Sequence, residues 1–167
     1  MTTNRNGTRL EEPLERIAPN ASRPIEILLV EDNPGDVRIA VEALKDCRVP
    51  NRLSVTEDGV EAIRFLRGDD VYAGSPRPDL ILLDLNLPRK DGHQVLAEIK
   101  TDDGLRQIPV IVLTTSENER DISRAYDLHA NCYVTKPSGL DQLVSVMQSI
   151  HYFWSGVVHL PSAGSPR

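Results

Sequence analysis

Three acidic residues and one lysine stand just after short apolar segments of this sequence. Glu31 and Asp32 come after a first segment, Asp84 after a second and Lys136 after a third. A cluster of carboxylates repels itself, and proteins commonly neutralise such a cluster with a hard divalent cation such as Mg²⁺. An ammonium group beside the cluster adds the charge neutralisation that phosphoryl transfer requires. These residue types therefore favour a site that handles a phosphoryl group.

Asp84 is the candidate nucleophile of this site. It ends the unbroken apolar run 80–83, and Thr114 stands in the same position after the apolar run 110–113. A phosphoryl group on Asp84 would present three oxygens, which the cation, the Lys136 ammonium and the Thr114 hydroxyl would each contact.

The elements that would hold these residues alternate regularly along the chain. Segments whose apolar residues recur every three to four positions indicate helices, and Asp36 is expected to cap the first of them. The strand-type segments between them are 25–30, 53–56, 80–83, 110–113 and 132–134. Five strands alternating with five helices require right-handed crossovers, with helices on both faces of a parallel sheet. The sequence thus predicts a doubly wound α/β domain whose strand ends meet at one edge.

The last helix is predicted to be unusually long, from about Ser138 to Leu160. Its apolar residues recur every seven positions, interleaved at spacings of three and four. Phe153, Trp154 and Val157 lie beyond the length that a five-strand sheet needs, and we expect them to form a homodimer interface. The alternative is that they fold back into the core.

Composition restricts the partners and the location of the protein. The chain has 167 residues, enough for one domain, and a formal net charge of −6 without a basic face, so we expect no nucleic-acid partner. No segment approaches the ~20 apolar residues of a membrane span, so we expect a cytoplasmic protein without membrane association. We predict a flexible extension over 1–24, one domain over 25–160 and a flexible tail over 161–167.

From Ile25 to about His159 the sequence resembles a bacterial two-component response-regulator receiver domain. The resemblance rests on the acids Glu31-Asp32, the DLNLPRKDG segment 84–92, Thr114 and the Lys136-Pro137 dipeptide. It implies a flavodoxin-like receiver fold with strand order 2-1-3-4-5 and phosphorylation by a sensor histidine kinase. It also implies that the protein is not an enzyme in the usual sense, although a receiver catalyses its own phosphoryl transfer and dephosphorylation.

The resemblance gives each acid a role. Asp84 corresponds to the phosphoacceptor. The Mg²⁺ ligands correspond to Asp32, Asp84 and the backbone carbonyl of Asn86, with Glu31 acting through a metal-bound water. Glu31 stands where the family often has Asp, which affects how closely this acid approaches the metal.

Three further residues correspond to the phosphoryl-binding and switch positions of the family. Thr114 and Lys136 would contact the phosphoryl group. Tyr133 matches an aromatic residue that turns inward when Thr114 is drawn to the phosphoryl group.

Several segments are also similar to the small receivers that serve cyanobacterial phytochromes and bacteriophytochromes. They are the long loop after the second helix, KTD at 100–102, LTTS at 113–116, and FW at 153–154 followed by LP at 160–161. In that subgroup the receiver stands alone without an output domain. The resemblance therefore implies a phytochrome-type kinase as phosphodonor and a response that is passed on by protein contacts.

A haloacid-dehalogenase-type Mg²⁺-dependent phosphatase is the main alternative. Such an enzyme also uses an Asp after an apolar strand, a Thr or Ser, a Lys and Mg²⁺, but it needs a second Asp two residues later as general acid. That position is Asn86 here, which cannot donate a proton in that role. A flavin- or nucleotide-binding module is a weaker alternative, because neither GxGxxG nor GxxxxGKS/T is present.

Overall fold

The computed structural model describes residues 23–161 with the exception of Arg48. The flexible extension predicted for 1–24 and the tail predicted for 161–167 therefore lie almost entirely outside the described residues. Within the described part, no helix is both long and apolar enough to cross a membrane.

Five strands of the described chain form one parallel sheet. They are β1 (Ile25–Val30), β2 (Asn51–Thr56), β3 (Leu80–Leu83), β4 (Val110–Thr114) and β5 (Cys132–Thr135). Their order in the sheet is β2-β1-β3-β4-β5. The strands β1, β3 and β4 are buried along their whole length, which explains why, apart from Glu26 in β1 and Thr114 at the end of β4, their sequences are apolar without alternation. The predicted doubly wound parallel fold and its strand order are confirmed.

Five α-helices cover the two faces of the sheet between residues 23 and 161. They are α1 (Pro34–Lys45), α2 (Gly59–Arg67), α3 (Gly92–Thr101), α4 (Glu119–Asp127) and α5 (Leu140–Tyr152). The helices α2, α3 and α4 bury Leu66, Leu96 and Ala125 against one face. The helices α1 and α5 bury Leu44 and Met147 against the other. Because helices cover both faces, polar side chains collect at the strand ends.

The start of α1 differs from the expectation, and the difference matters for the site. The N-cap is Asn33, whose side-chain oxygen accepts hydrogen bonds from the Gly35 and Asp36 amides. Pro34 takes the first helical position, where its fixed φ is favourable, so the helix begins earlier than an Asp36 cap would allow. The expected cap is therefore wrong, and the Asp36 carboxylate is available to contact other elements.

The long C-terminal helix predicted over 138–160 is helical from Leu140 to Val157, but its last turn is not α-helical. The helix α5 ends at Tyr152, and the chain continues as one π-helical turn, Phe153–Val157. The Ser155 hydroxyl donates a 2.5 Å hydrogen bond to the His151 carbonyl oxygen, and Gly156 has a low helix propensity. Both features weaken a regular α-helix at this point.

The three residues predicted as a dimer interface do not share one environment. Phe153 and Val157 are exposed, at 49% and 41% of their surface. Trp154 is half-buried and packs against the core beneath α1 and α5, and its ring meets the Phe153 ring edge-on at 5.7 Å between centroids. Trp154 therefore follows the alternative given above, in which these residues fold back onto the core. Its large ring covers apolar surface at the end of α5.

The turn after β3 lies close against Asp84. Gly92, the first residue of α3, donates its N–H to the Leu85 carbonyl oxygen at 2.9 Å. A Cβ atom on Gly92 would stand 2.3 Å from the Asp84 carbonyl oxygen and 2.6 Å from Leu85 Cα. Glycine therefore allows this turn to fold back onto the residue that the sequence predicts as the nucleophile.

We predict that Gly92→Ala lowers the free energy of unfolding by about 3 kcal/mol, because the backbone must shift to relieve the overlap. Urea denaturation followed by circular dichroism measures this loss. Gly156→Ala is the matched control, because a Cβ atom there has its nearest neighbour, a Tyr152 ring atom, at 4.0 Å. A loss in Gly92→Ala no larger than in the control would show that the turn has room for a side chain.

Candidate functional site

The candidate site lies at the carboxyl edge of the sheet, as the sequence predicts. Glu31 and Asp32 follow β1, and Asp84 follows β3. Thr114 is the last residue of β4, and Lys136 is the first residue after β5. Because β1 and β3 are neighbours, the strand order sets the acid-bearing strands side by side, and the hydroxyl and the amine come from the other side of β3.

Glu31, Asp32 and Asp84 form an acidic trio. One carboxylate oxygen from each residue lies within 4.8 Å of the other two. Glu31 and Asp84 are buried, whereas Asp32 is exposed. Oxygen donors at this separation, with one of them open to solvent, suit a hard divalent cation. The residues present therefore fit a divalent metal site.

Lys136 ties these acids together. Its ammonium donates hydrogen bonds to Glu31 Oε2 at 2.5 Å, Asp36 Oδ2 at 3.0 Å and Asp84 Oδ2 at 3.0 Å. Burial alone would lower the pKa of Lys136, but these bonds and the charges of the acids outweigh it and raise the pKa. Burial also raises the pKa of the Glu31 carboxyl, and the Lys136 ammonium opposes that shift. Lys136 is therefore charged and compensates the acids around it.

The Thr114 hydroxyl is buried but weakly held. Its Oγ1 accepts two long hydrogen bonds of 3.4 Å, one from Asn86 Nδ2 and one from the Ser116 N–H. The Asn86 backbone N–H donates to Asp84 Oδ1 at 3.2 Å, which holds the Asn86 backbone beside the acidic trio. Bonds of 3.4 Å are at the weak end of the range, so the hydroxyl exchanges these partners at small cost.

Tyr133 is tied to the loop between β4 and α4. Its ring packs against the core, and its hydroxyl donates to the Ser116 carbonyl oxygen at 2.9 Å. The Ser116 hydroxyl in turn donates to Asp121 Oδ2 on α4 at 2.6 Å. Burial raises the pKa of the Tyr133 phenol, which keeps it a hydrogen-bond donor. A movement of Thr114 therefore has a hydrogen-bonded route through Ser116 to Tyr133 and α4.

Two residues that contact the site, Asp36 and Ser116, were not predicted from the sequence as site residues. Asp36 was identifiable by its position, one helical turn after Asp32 in the helix that leaves the acidic edge. Ser116 has a weaker signal, because its backbone carbonyl oxygen receives the Tyr133 hydroxyl and no residue type marks that role.

Comparison with known proteins identifies the family of this chain. A family model described as the response regulator receiver domain matches residues 27–148, from β1 into α5. This chain belongs to the response regulator receiver family. The receiver resemblance seen in the sequence is confirmed, and nothing in the comparisons favours the haloacid-dehalogenase alternative.

The relatives of this receiver include phytochrome response regulators. Response regulator Rcp1 of Synechocystis sp. is 48% identical over 147 residues, which cover 88% of this chain and 100% of Rcp1. The probable methanogenesis regulatory protein FilR2 of Methanothrix harundinacea is 40% identical and is covered to 87%, against 81% of this chain. The crystal structure of the phosphorylated cyanobacterial phytochrome response regulator RcpA superposes with a TM-score of 0.82 at 52% identity, covering 84% of this chain and 100% of that one.

A metal-bound relative has nearly the same fold. The Mn²⁺-bound form of Rcp1 superposes with a TM-score of 0.81 at 50% identity, covering 83% of this chain and 100% of that one. This receiver is therefore a response regulator related to Rcp1 and RcpA, and its acidic trio fits the divalent-metal site of a receiver.

We predict that Lys136→Met lowers the free energy of unfolding by about 3 kcal/mol without divalent cations, because buried carboxylates lose their counter-charge. Mg²⁺ should recover part of this loss, because a cation that binds only the folded state stabilises it. Urea denaturation in EDTA and in Mg²⁺ measures both effects. Lys45→Met is the control, since Lys45 pairs with Glu42 and both side chains are 61% exposed. Equal stability of the two variants would contradict the prediction.

Proposed function

We propose that this receiver accepts a phosphoryl group on Asp84 from a sensor histidine kinase and signals through the resulting change in its surface. The observation that supports this best is the setting of the Asp84 carboxylate. Its Oδ2 receives a 3.0 Å hydrogen bond from the Lys136 ammonium, and it belongs to the acidic trio. A carboxylate between a fixed cation and a metal site is the arrangement that a phosphoacceptor needs.

In the proposed reaction, one Asp84 carboxylate oxygen attacks the phosphorus of a phosphohistidine. The new O–P bond forms as the P–N bond breaks, and the kinase imidazole leaves with the bonding electron pair and is protonated. When bound to Asp32, Asp84 and the Asn86 carbonyl, with Glu31 acting through water, Mg²⁺ would neutralise charge on a phosphoryl oxygen. The Lys136 ammonium neutralises charge on a second oxygen from a position that hydrogen bonds already fix.

The proposed switch begins at Thr114. A phosphoryl group adds a charge of about −2 beside a hydroxyl that holds only weak hydrogen bonds. The Thr114 hydroxyl therefore turns to a phosphoryl oxygen and pulls on the loop that carries Ser116. Because Ser116 binds both the Tyr133 hydroxyl and Asp121, the ring and α4 change position with the loop.

We infer that the phosphodonor is a phytochrome-type kinase. Identity of 52% to RcpA, a cyanobacterial phytochrome response regulator, and of 48% to Rcp1 supports this partner. The cytoplasmic location and the absence of a nucleic-acid partner remain predictions from the composition.

We propose signalling rather than continuous phosphate turnover, and Asn86 is the residue that distinguishes them. In a haloacid-dehalogenase-type phosphatase, an acid two residues after the nucleophile protonates the leaving group. The Asn86 amide cannot supply that proton, and its Nδ2 donates towards Thr114 at 3.4 Å.

We expect acetyl phosphate with Mg²⁺ to add one phosphoryl mass to the protein, measured by intact mass spectrometry. Asp84→Asn should abolish the gain, because the amide is not a nucleophile for phosphorus. Asp141→Asn is the control, since Asp141 is an exposed acid in the first turn of α5. A gain that survives Asp84→Asn would contradict the proposal, and steady phosphate release from many substrates would favour the phosphatase.

We further propose that the receiver forms a homodimer through a C-terminal surface made by Phe153 and Val157. These two side chains are four residues apart in the π-helical turn and both are exposed. Trp154 packs against the core and meets the Phe153 ring, so it fixes this surface from beneath. Exposed apolar groups that lie side by side are suited to self-association.

The double variant Phe153→Ser and Val157→Ser should reduce the dimer fraction in sedimentation velocity, because it removes the apolar contact and leaves the core intact. Val71→Ser is the control, because Val71 is 82% exposed on a different turn, Asp70–Tyr72. A monomeric parent protein, or a dimer fraction that the double variant leaves unchanged, would exclude this surface as the interface.

A further inference from the structure

Asp36 contacts the centre of the site from a helix that carries none of the expected site residues. It is the third residue of α1, and its Oδ2 accepts a 3.0 Å hydrogen bond from the Lys136 ammonium. Its side chain is 26% exposed, whereas the Lys136 side chain is 4% exposed. Asp36 thus forms the solvent-facing side of the Lys136 environment.

Asp36 differs from the other two carboxylates that accept hydrogen bonds from Lys136, because it belongs neither to the predicted metal site nor to the phosphoacceptor. Glu31 and Asp84 belong to the acidic trio, so a divalent cation competes with Lys136 for their oxygens. Asp84 also changes its charge when it is phosphorylated. Asp36 lies outside the trio, and its hydrogen bond to Lys136 does not compete with either event.

The surroundings of Lys136 offer it few other polar partners on the side of α1 and α5. A small cavity beside the ammonium is lined by Glu31, Asp36 and Lys136 together with the apolar side chains of Leu29, Ala40, Leu113, Leu143 and Met147. A lysine side chain has four rotatable bonds, and an apolar wall gives its charged end nothing to bind. The Asp36 carboxylate therefore supplies the polar contact that fixes the ammonium on this side.

We propose that Asp36 is a positioning residue for phosphoryl transfer, which holds the Lys136 ammonium in place while Glu31 and Asp84 engage the metal and the phosphoryl group. This inference rests on the proposed phosphorylation of Asp84. The Asp36 carboxylate does not touch the reacting atoms and acts through Lys136.

Positioning and simple charge repulsion predict opposite kinetic effects. Asp36 adds a negative charge near a site that receives an anionic phosphodonor, so removal of that charge alone would improve donor binding. Loss of positioning instead lowers the rate at saturating donor, because the ammonium is no longer fixed where charge develops. The two roles are therefore distinguished by measuring both the donor concentration at half-saturation and the maximal rate. A change in the first indicates charge repulsion, and a fall in the second indicates loss of positioning.

The test measures phosphorylation by acetyl phosphate in Mg²⁺ over a range of donor concentrations, by intact mass. We expect Asp36→Ala to lower the maximal rate about tenfold, which corresponds to one lost hydrogen bond to a charged group. Asp36→Asn keeps an oxygen acceptor without the charge and should fall between Asp36→Ala and the parent. Asp36→Glu restores a carboxylate and should recover most of the rate.

Glu42→Gln is the matched control, because it also removes one negative charge from α1. Glu42 is 61% exposed at its side chain and pairs with Lys45, away from Lys136. This control should leave the maximal rate within about twofold of the parent. Urea denaturation of Asp36→Ala, followed by circular dichroism, measures its folded fraction under the assay conditions, so a rate lost through misfolding is separable from a rate lost in the folded protein.

A second measurement follows the Lys136 ammonium directly by NMR of its ¹⁵Nζ group, assigned with Lys136→Met. We expect the signal of the protected ammonium in the parent, in Asp36→Glu and in Glu42→Gln, and its loss by fast exchange in Asp36→Ala. A parent that gains no phosphoryl group would overturn the proposed function together with this inference. A parent that is phosphorylated, with Asp36→Ala matching it in maximal rate or only binding the donor better, would overturn the positioning role alone.

Discussion

The burial of the Lys136 ammonium among carboxylates is the interaction on which the rest of this structure depends. Side-chain exposure is 4% for Lys136, 2% for Glu31 and 7% for Asp84, and removing such charges from water costs several kcal/mol each. The cost is offset only because each N–H donor of the ammonium has a carboxylate acceptor. These acceptors follow β1, lie in α1 and follow β3, so one side chain joins parts of the chain up to 105 residues apart.

The strand order explains why a residue with a long side chain is needed to reach Asp84 from β5. It also explains why the sequence predicted that these residues meet at one edge of the sheet. The strand β4 separates β5 from β3, so at a strand spacing of about 4.8 Å the backbones of Lys136 and Asp84 start about 10 Å apart. A long side chain spans that distance, and the short Thr114 at the end of β4 leaves it room. Strands buried on both faces need unbroken apolar runs, so the sequence predicts where β1 and β3 end and which side chains follow them.

The features that the sequence did not predict depend on contacts that leave no local pattern. Asn33 and Asp36 are both good helix caps, and the bond that occupies Asp36 comes from a residue 100 positions away. The heptad spacing of the last helix indicates an apolar stripe. It does not indicate how far along the helix that stripe packs against the core. There the packing of Trp154 and the low helix propensity of Gly156 favour a π-helical turn over a longer α-helix.

The hydrogen bonds divide the site into a rigid half and a weakly held half. Lys136 makes bonds of 2.5 to 3.0 Å to acids that are themselves held, so it already points to where a phosphoryl oxygen would lie on Asp84. The Thr114 hydroxyl accepts two hydrogen bonds of 3.4 Å, and breaking these weak bonds costs less free energy. In the switch that we propose, added charge at Asp84 moves the Thr114 side, and the loop bonds of Ser116 carry that movement to the surface. In this proposal, the acids that are costly to bury also hold Lys136 in place, so the structural change is confined to the Thr114 side.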